Sequence, residues 1–432
     1  MNKKAIEWLY QELPELVAKG VLSTDTAKKL HEHYGPLEQS SGKRTFLMVF
    51  GIIGVLLVGL GIILLIAHNW SQLTRPSRLA ISIGLLLAAQ LLAGAVLHFK
   101  RDSAIWRESS AVLHVLMIGA AMALVGQTYH LTEDTDAFLL IWTLLSLPLI
   151  YLMKSTGAAI LYLAGITLWS GHGYGYPEKQ FIWVMFFLVM PYWWGLIKSN
   201  RYANEAVILS WVVNLCFYFC FAAAAANHLD RFGWLIYSAL FSVNYLSGLL
   251  WFNSGRKTWQ MPFKFIGLTG SLGLVFIMTF HNIWSNLQLN TYAVNAVESM
   301  LTVVLLLIFI IGNGLTAKRL GCKNVIFSLA PLIVGAAYLI NHFDTSGVGA
   351  TIIMNIYMLL LSISIISAGS HKNSLGVVNA GMLMMAVLII ARFLDMNFSF
   401  VIRGVVFVLL GIGFLITNWL MVRRKAGEHN EK

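Results

Sequence analysis

Charge is scarce in this chain. Of its 432 residues only 11% are charged, against 58% apolar, and only 8 are proline and 3 cysteine. A soluble domain typically carries about 25% charged and 45–50% apolar residues, so this is not a soluble composition. The apolar content equally excludes a disordered chain, and neither a collagen repeat nor a coiled coil fits it. Cys216 and Cys220 lie one helical turn apart in an apolar run and Cys322 falls in a basic loop. No Cys or His pattern has zinc spacing, so neither a disulfide framework nor a structural metal is indicated, and no cofactor is expected. P-loop, nucleophile-elbow, dinucleotide and zinc-protease motifs are missing too, which argues against a soluble-type ATPase or hydrolase module. An integral membrane protein remains, and the mean hydropathy of +0.73 agrees with it.

What is present is a succession of apolar runs. They fall at 46–67, 79–97, 111–127, 137–153, 157–170, 181–197, 207–226, 232–252, 263–281, 297–317, 325–340, 348–369, 375–391 and 401–421. A run of about 20 residues spans a bilayer core of about 30 Å. The expected fold is therefore all-α, a polytopic bundle of about fourteen transmembrane spans. Residues 1–45 precede it as a polar arm, with no secretory signal and no small-residue cleavage site after the first run. In the arm Ile6, Leu9, Leu13, Leu16 and Val17 recur at helical spacing, Gly20 ends the helix, and Ser23 caps a second one that Gly35-Pro36 stops. The arm is read as a short cytosolic helical hairpin. It either lies on the membrane or inner loops, or recruits a cytosolic partner.

The net charge of +11 would suggest nucleic acid in a soluble protein. Here the basic residues sit in short loops, where they set orientation instead. With the arm inside, 24 of the 30 basic residues fall on inner segments; the outer ones are Arg75, Arg78, Lys179, Arg231, Arg392 and Arg403. The alternation holds to the C-terminus, so both termini are expected in the cytoplasm, with membrane lipids as neighbours and no nucleic-acid partner.

Two stretches are distinctive. Gly59, Gly61 and His68-Asn69-Trp70 are followed by Arg75-Pro76-Ser77-Arg78, and Gly126-Gln127-Thr128-Tyr129-His130 is followed by Ala137 through Trp142. With the arm, over roughly residues 5–155, this resembles the uncharacterised bacterial membrane-protein family called domain of unknown function 2157. Residues 391–411 are more weakly similar to the end of related polytopic families. The resemblance implies a bacterial inner-membrane protein and carries over no catalytic residue. It divides the chain into the arm (1–45), a four-span family region (46–155) and a C-terminal region of about ten spans (156–432).

Ionisable groups within spans cost about 2.5–3.5 kcal/mol each at mid-membrane, so those present are candidates. His114 lies in the third run. Glu298 opens the tenth, either as an interfacial, partly hydrated carboxylate or as a group that couples proton or substrate movement. Arg392 and Asp395 are three apart on one helix face, fit for an interfacial ion pair, and Arg403 lies near the start of the last run. His68, His130, His172, His228, His281 and His342 fall at outer span ends beside Asn69, Asn227, Asn282 and Asn341, with Glu133, Asp134, Asp136, Asp230 and Asp344 on the same side. This is an interfacial belt, or a polar site facing the periplasm. Gln127, Tyr129 and His130 close the third span as a rim, expected against the His68–Asn69 end of the first. Gln90, Gln127, Asn214, Asn244, Asn313, Asn355 and Asn379 read as helix glue, or as the lining of a polar pathway if they gather. Span number, scattered polar groups and missing enzyme motifs favour passage of a small or amphipathic solute or lipid. A membrane-embedded enzyme on a lipid-linked substrate and a sensor or scaffold are the alternatives.

Overall fold

The computed structural model describes residues 3–34, 50–55, 57–59, 61, 73–130, 134–172, 180–226, 228–229, 231–252, 258–287, 296–321, 326–344, 346–371, 374–395, 405, 408 and 411–413. Among them the regular structure is helical, without strands. The second to thirteenth expected apolar runs each overlap a helix, while the first, 46–67, and the last, 401–421, lie largely outside the described residues. Nine of the described helices are long and apolar enough to cross a membrane; Thr156–Gly171, Pro262–Ile277, Ala330–Phe343 and Phe50–Gly59 are shorter.

The arm forms α1 (Lys3–Ala18) and α2 (Thr24–Tyr34). Gly20 stops α1 at φ +69°, and its N–H and that of Val21 return to the carbonyls of Val17 and Leu16. That is the paired bonding by which a left-handed glycine satisfies a helix end. Ser23 caps α2 by accepting from the Thr26 N–H at 3.2 Å.

The described helices divide into two compact units. The first holds the arm, α3 (Arg75–Phe99), α4 (Ala104–Tyr129), α5 (Thr135–Leu152) and α6 (Thr156–Gly171), with the middle of α7 (Ile182–Asn200). Side chains supply the N-caps: Thr74 for α3, Asp134 for α5 and Ser155 for α6. The central helix is α4, whose Ala111, Val112, Val115 and Ile118 are buried with Ile150, Ala159, Tyr162 and Ile166. Trp142 on α5 donates to the Val115 carbonyl at 2.8 Å, and Tyr162 on α6 donates to the Met185 carbonyl at 2.9 Å.

The second unit holds α8 (Asn204–Ala225), α9 (Gly233–Trp251), α10 (Pro262–Ile277), α11 (His281–Ser285), α12 (Ala296–Leu320), α13 (Ala330–Phe343), α14 (Val348–His371) and α15 (Leu375–Asp395). Here α9 is central and packs on α10 at backbone contact. A Cβ added at Gly248 or Gly267 would lie 2.3 Å from a backbone nitrogen of the other helix. Asn214 and Asn244 exchange amide hydrogen bonds between α8 and α9, the helix glue expected of intramembrane amides.

Two buried glutamates tie helix ends together. Glu108, 3% exposed on the first turns of α4, accepts the Thr156 and Gly157 N–H groups and the Ser155 hydroxyl at 2.5–2.8 Å. Glu298, 1% exposed at the start of α12, accepts the Arg231 and Phe232 N–H groups at 3.0 and 2.5 Å. Each carboxylate meets the unpaired N–H groups and positive dipole end of another helix. In consequence α4 and α6 begin at the same end, as do α9 and α12, which is what strict alternation of the spans requires.

Candidate functional site

Helix α10 stops four residues short of the end of the ninth expected run, 263–281, and a second short helix follows a break. Helix α10 ends at Ile277, Met278–Phe280 make two tight turns, and Phe280 is extended before the one-turn helix α11. The Thr279 hydroxyl donates to the Phe276 carbonyl at 2.6 Å, offering that carbonyl a partner other than the continuing helix. Periodicity alone could not locate this break, because Met278 and Phe280 keep the run apolar almost to its expected end at residue 281.

The break exposes a carbonyl that two other helices claim. Thr279 O accepts from Asn355 Nδ2 on α14 and from Arg392 Nη1 on α15, both at 2.9 Å. Asn355 also donates to the Thr351 carbonyl of its own helix at 2.8 Å. The Arg392 guanidinium lies 4.6 Å over the Phe280 ring and reaches the Thr279 hydroxyl with Nη2 at 3.4 Å. A cation and an amide thus sit at the negative end of α10, where a helix terminus favours positive charge. Asn355 is seven residues inside α14, so the break lies about 10 Å from the start of that helix.

Beyond the break, α11 turns one aromatic inward. Trp284 is fully buried, donates Nε1 to the Met278 carbonyl at 2.7 Å, and packs edge-on against Tyr338 at 5.6 Å. Asn341, one turn along α13 from Tyr338, donates to the Trp284 carbonyl at 3.3 Å. Its Oδ1 is buried without a hydrogen-bond partner among the described residues. Gly347, at φ +75°, seats the segment: a Cβ there would lie 3.0 Å from Ser285 N and from Trp284 Cβ. The preceding turn is fixed by Asp344, whose Oδ1 accepts the Ser346 N–H at 3.1 Å. The bonds from the Ser346 side chain and backbone hold the exposed Asp344 carboxyl below its ordinary range. His281, Asn282, Ser285 and Asn286 face outward and are exposed.

Two sequence candidates lie at the ends of a chain of contacts through this assembly. Arg392 holds Thr279 and Phe280; Trp284 follows in the same segment and touches Tyr338; Tyr338 lies 6.0 Å from Phe232, whose N–H reaches Glu298. The expected partly hydrated position of Glu298 is not found: the carboxylate is buried because it caps α9. Among the described residues Arg392 meets the Thr279 carbonyl and the Phe280 ring; the expected pairing with Asp395 falls on a side chain outside them. Asp395 closes α15, and its side chain lies outside the described residues.

The other candidates stand elsewhere. His130 closes α4 in the left-handed region at φ 48°, its N–H returning to the Gly126 carbonyl. Gln127, Tyr129 and His130 are exposed, and Thr128 between them is the buried residue, bonded to the Leu124 carbonyl at 2.7 Å. His68 and Asn69, the neighbours expected for this rim, lie outside the described residues, as does Arg403. Also in the first unit, Asp136 accepts from Trp169 Nε1 at 3.1 Å and lies 3.4 Å from His172 Nδ1, so two belt residues do meet. His114 is buried, with Nδ1 unpartnered among the described residues. Of the uncharged set, Asn313 accepts from Ser328 at 2.5 Å, while Gln90 and Asn379 are exposed.

Sequence reading missed Glu108, Trp284 and the break at Thr279. Glu108 stood just outside the expected third span and looked like a loop carboxylate. The Ser155-Thr156-Gly157 start of α6, which it caps, was the available signal.

Among the described residues no three His, Cys, Asp or Glu side chains gather as metal ligands. No curated protein and no solved structure matches the chain. Residues 14–159, which run from α1 to the start of α6, match the family described as Predicted membrane protein (DUF2157), and over that stretch the chain carries the pattern of an uncharacterised membrane-protein family.

Proposed function

We propose that this protein moves a small or amphipathic envelope solute or a lipid across a bacterial inner membrane, with both termini in the cytoplasm. The observation that carries the reading is the interrupted α10–α11 helix. Irregular backbone at membrane depth is tolerated only where protein buries it or where it lines a water-filled cavity. Discontinuous helices with freed carbonyls are the usual construction of solute sites in secondary transporters. Here the freed Thr279 carbonyl is engaged by an ionisable side chain, Arg392, and by Asn355. Glu298, linked to the same assembly through Phe232 and Tyr338, is the group we assign to coupling. It is a buried carboxylate that accepts from two neutral backbone N–H groups. The exposed rim at Gln127, Tyr129 and His130 is a second place for solute contact.

Native mass spectrometry of the protein released from nanodiscs tests this reading. A discrete adduct beyond the bulk bilayer lipids, weakened in Arg392→Gln, is the expected result. Release of bare protein, or of lipids only in the proportions of the surrounding bilayer, would count against it.

A further inference from the structure

We infer that Met278–Asn286 is a hinged gate over the assembly of α13, α14 and α15, with Trp284 as its plug and Arg392 as its latch. The hinge is the non-helical stretch Met278–Phe280, where the continuous hydrogen-bonding of α10 stops. Beyond it α11 is a single turn, too short to be stable by itself. What holds it in place comes from other helices: Asn341 on the Trp284 carbonyl, Asn355 and Arg392 on the Thr279 carbonyl. A segment held by a few side-chain bonds to its neighbours opens at lower cost than one inside a continuous helix.

Its two faces differ as a gate requires. His281, Asn282, Ser285 and Asn286 are exposed, while Trp284 on the opposite side is fully buried. Gly347 provides a seat with no side chain, so the closed segment comes to rest on backbone. The amide that holds the plug's carbonyl carries a buried acceptor: Asn341 is 4% exposed and its Oδ1 has no hydrogen-bond partner among the described residues. Lifting Trp284 breaks the bond from Asn341 and frees its amide. A solute carrying a hydroxyl, amide or ammonium donor is the chemistry that completes it.

The inference rests on the transport reading for its purpose but not for its test, which needs no solute. Hydrogen–deuterium exchange of the full-length protein in nanodiscs reads the opening directly. Arg392→Gln and Asn355→Ala are each expected to speed exchange across 278–287 by roughly tenfold or more. Amides of 264–276 in α10 should keep their wild-type rates. If neither variant changes 278–287, or if the rise is equal along all helices, the segment has no opening of its own and the gate is wrong. Local opening combined with absence of any carried solute would leave the gate standing and remove transport.

Discussion

Glu298 and Phe232 are 66 residues apart in sequence, and the carboxylate of the first accepts the backbone N–H of the second at 2.5 Å. The same oxygen, Oε1, also accepts the Arg231 N–H. One atom of one side chain therefore closes the start of α9. Glu108 does the corresponding work for α6 with both of its oxygens, Oε1 on Thr156 and Oε2 on Ser155 and Gly157. This difference separates the two residues experimentally.

For Glu298, glutamine keeps an amide oxygen that can accept both N–H groups, so Glu298→Gln should melt within a few degrees of wild type. Glu298→Ala leaves two buried donors unpaired, at about 1–3 kcal/mol each, and should melt well below it. Thermal unfolding in detergent measures both. Equal losses in the two variants would mean that the charge, not the hydrogen bonds, holds α9.

For Glu108 the outcome is the opposite. Glutamine must point its amide nitrogen at one of the two donor sets, so Glu108→Gln should itself cost about 1–3 kcal/mol. A melting temperature unchanged from wild type would show that α6 does not depend on this cap.

His130 sits at φ 48°, where a side chain costs about 1 kcal/mol that glycine does not. His130→Gly should raise the melting temperature slightly if the residue only ends α4. Unchanged melting together with loss of a bound adduct would instead make the Gln127–His130 rim a contact for solute.

Asp344 gives the structure a pH dependence with a definite sign. Its carboxyl is held below the ordinary carboxylate value, first by the Ser346 side chain and then by the Ser346 N–H. A depressed folded value stabilises the turn above the unfolded value of about 3.9. That contribution is lost as pH falls through the folded value. The difference in melting between wild type and Asp344→Asn should therefore be present at neutral pH and shrink only below about pH 4. A difference that disappears between pH 6 and 8 would assign the effect to a group other than Asp344.

How much of this was legible in the sequence depends on what each feature is made of. Helix positions were, because they follow from local hydrophobic runs, and so were Gly20 and Ser23, whose signals are single residues beside a helix end. The caps at Glu108 and Glu298 were not, since each joins segments 47 to 67 residues apart and a lone glutamate near a span looks the same with or without a partner. The break at Thr279 was hidden for a different reason. It contains neither glycine nor proline, and it is sustained by Asn355 and Arg392, which lie 76 and 113 residues further on. Arg392 and Glu298 stood out in the sequence as costly ionisable groups, but the carbonyl and the two N–H groups they meet are main-chain atoms that no side-chain pattern encodes.

The central claim is that the chain carries a solute by way of the α10–α11 break with Glu298 as the coupling group. Counterflow in proteoliposomes, using the compound found to travel with the protein, tests it most directly. Wild type should accumulate labelled compound against unlabelled compound inside, whereas Trp284-intact Glu298→Gln, folded to wild-type stability, should lose most of that uptake. Uptake by Glu298→Gln equal to wild type, or none by wild type above protein-free liposomes, would contradict the account.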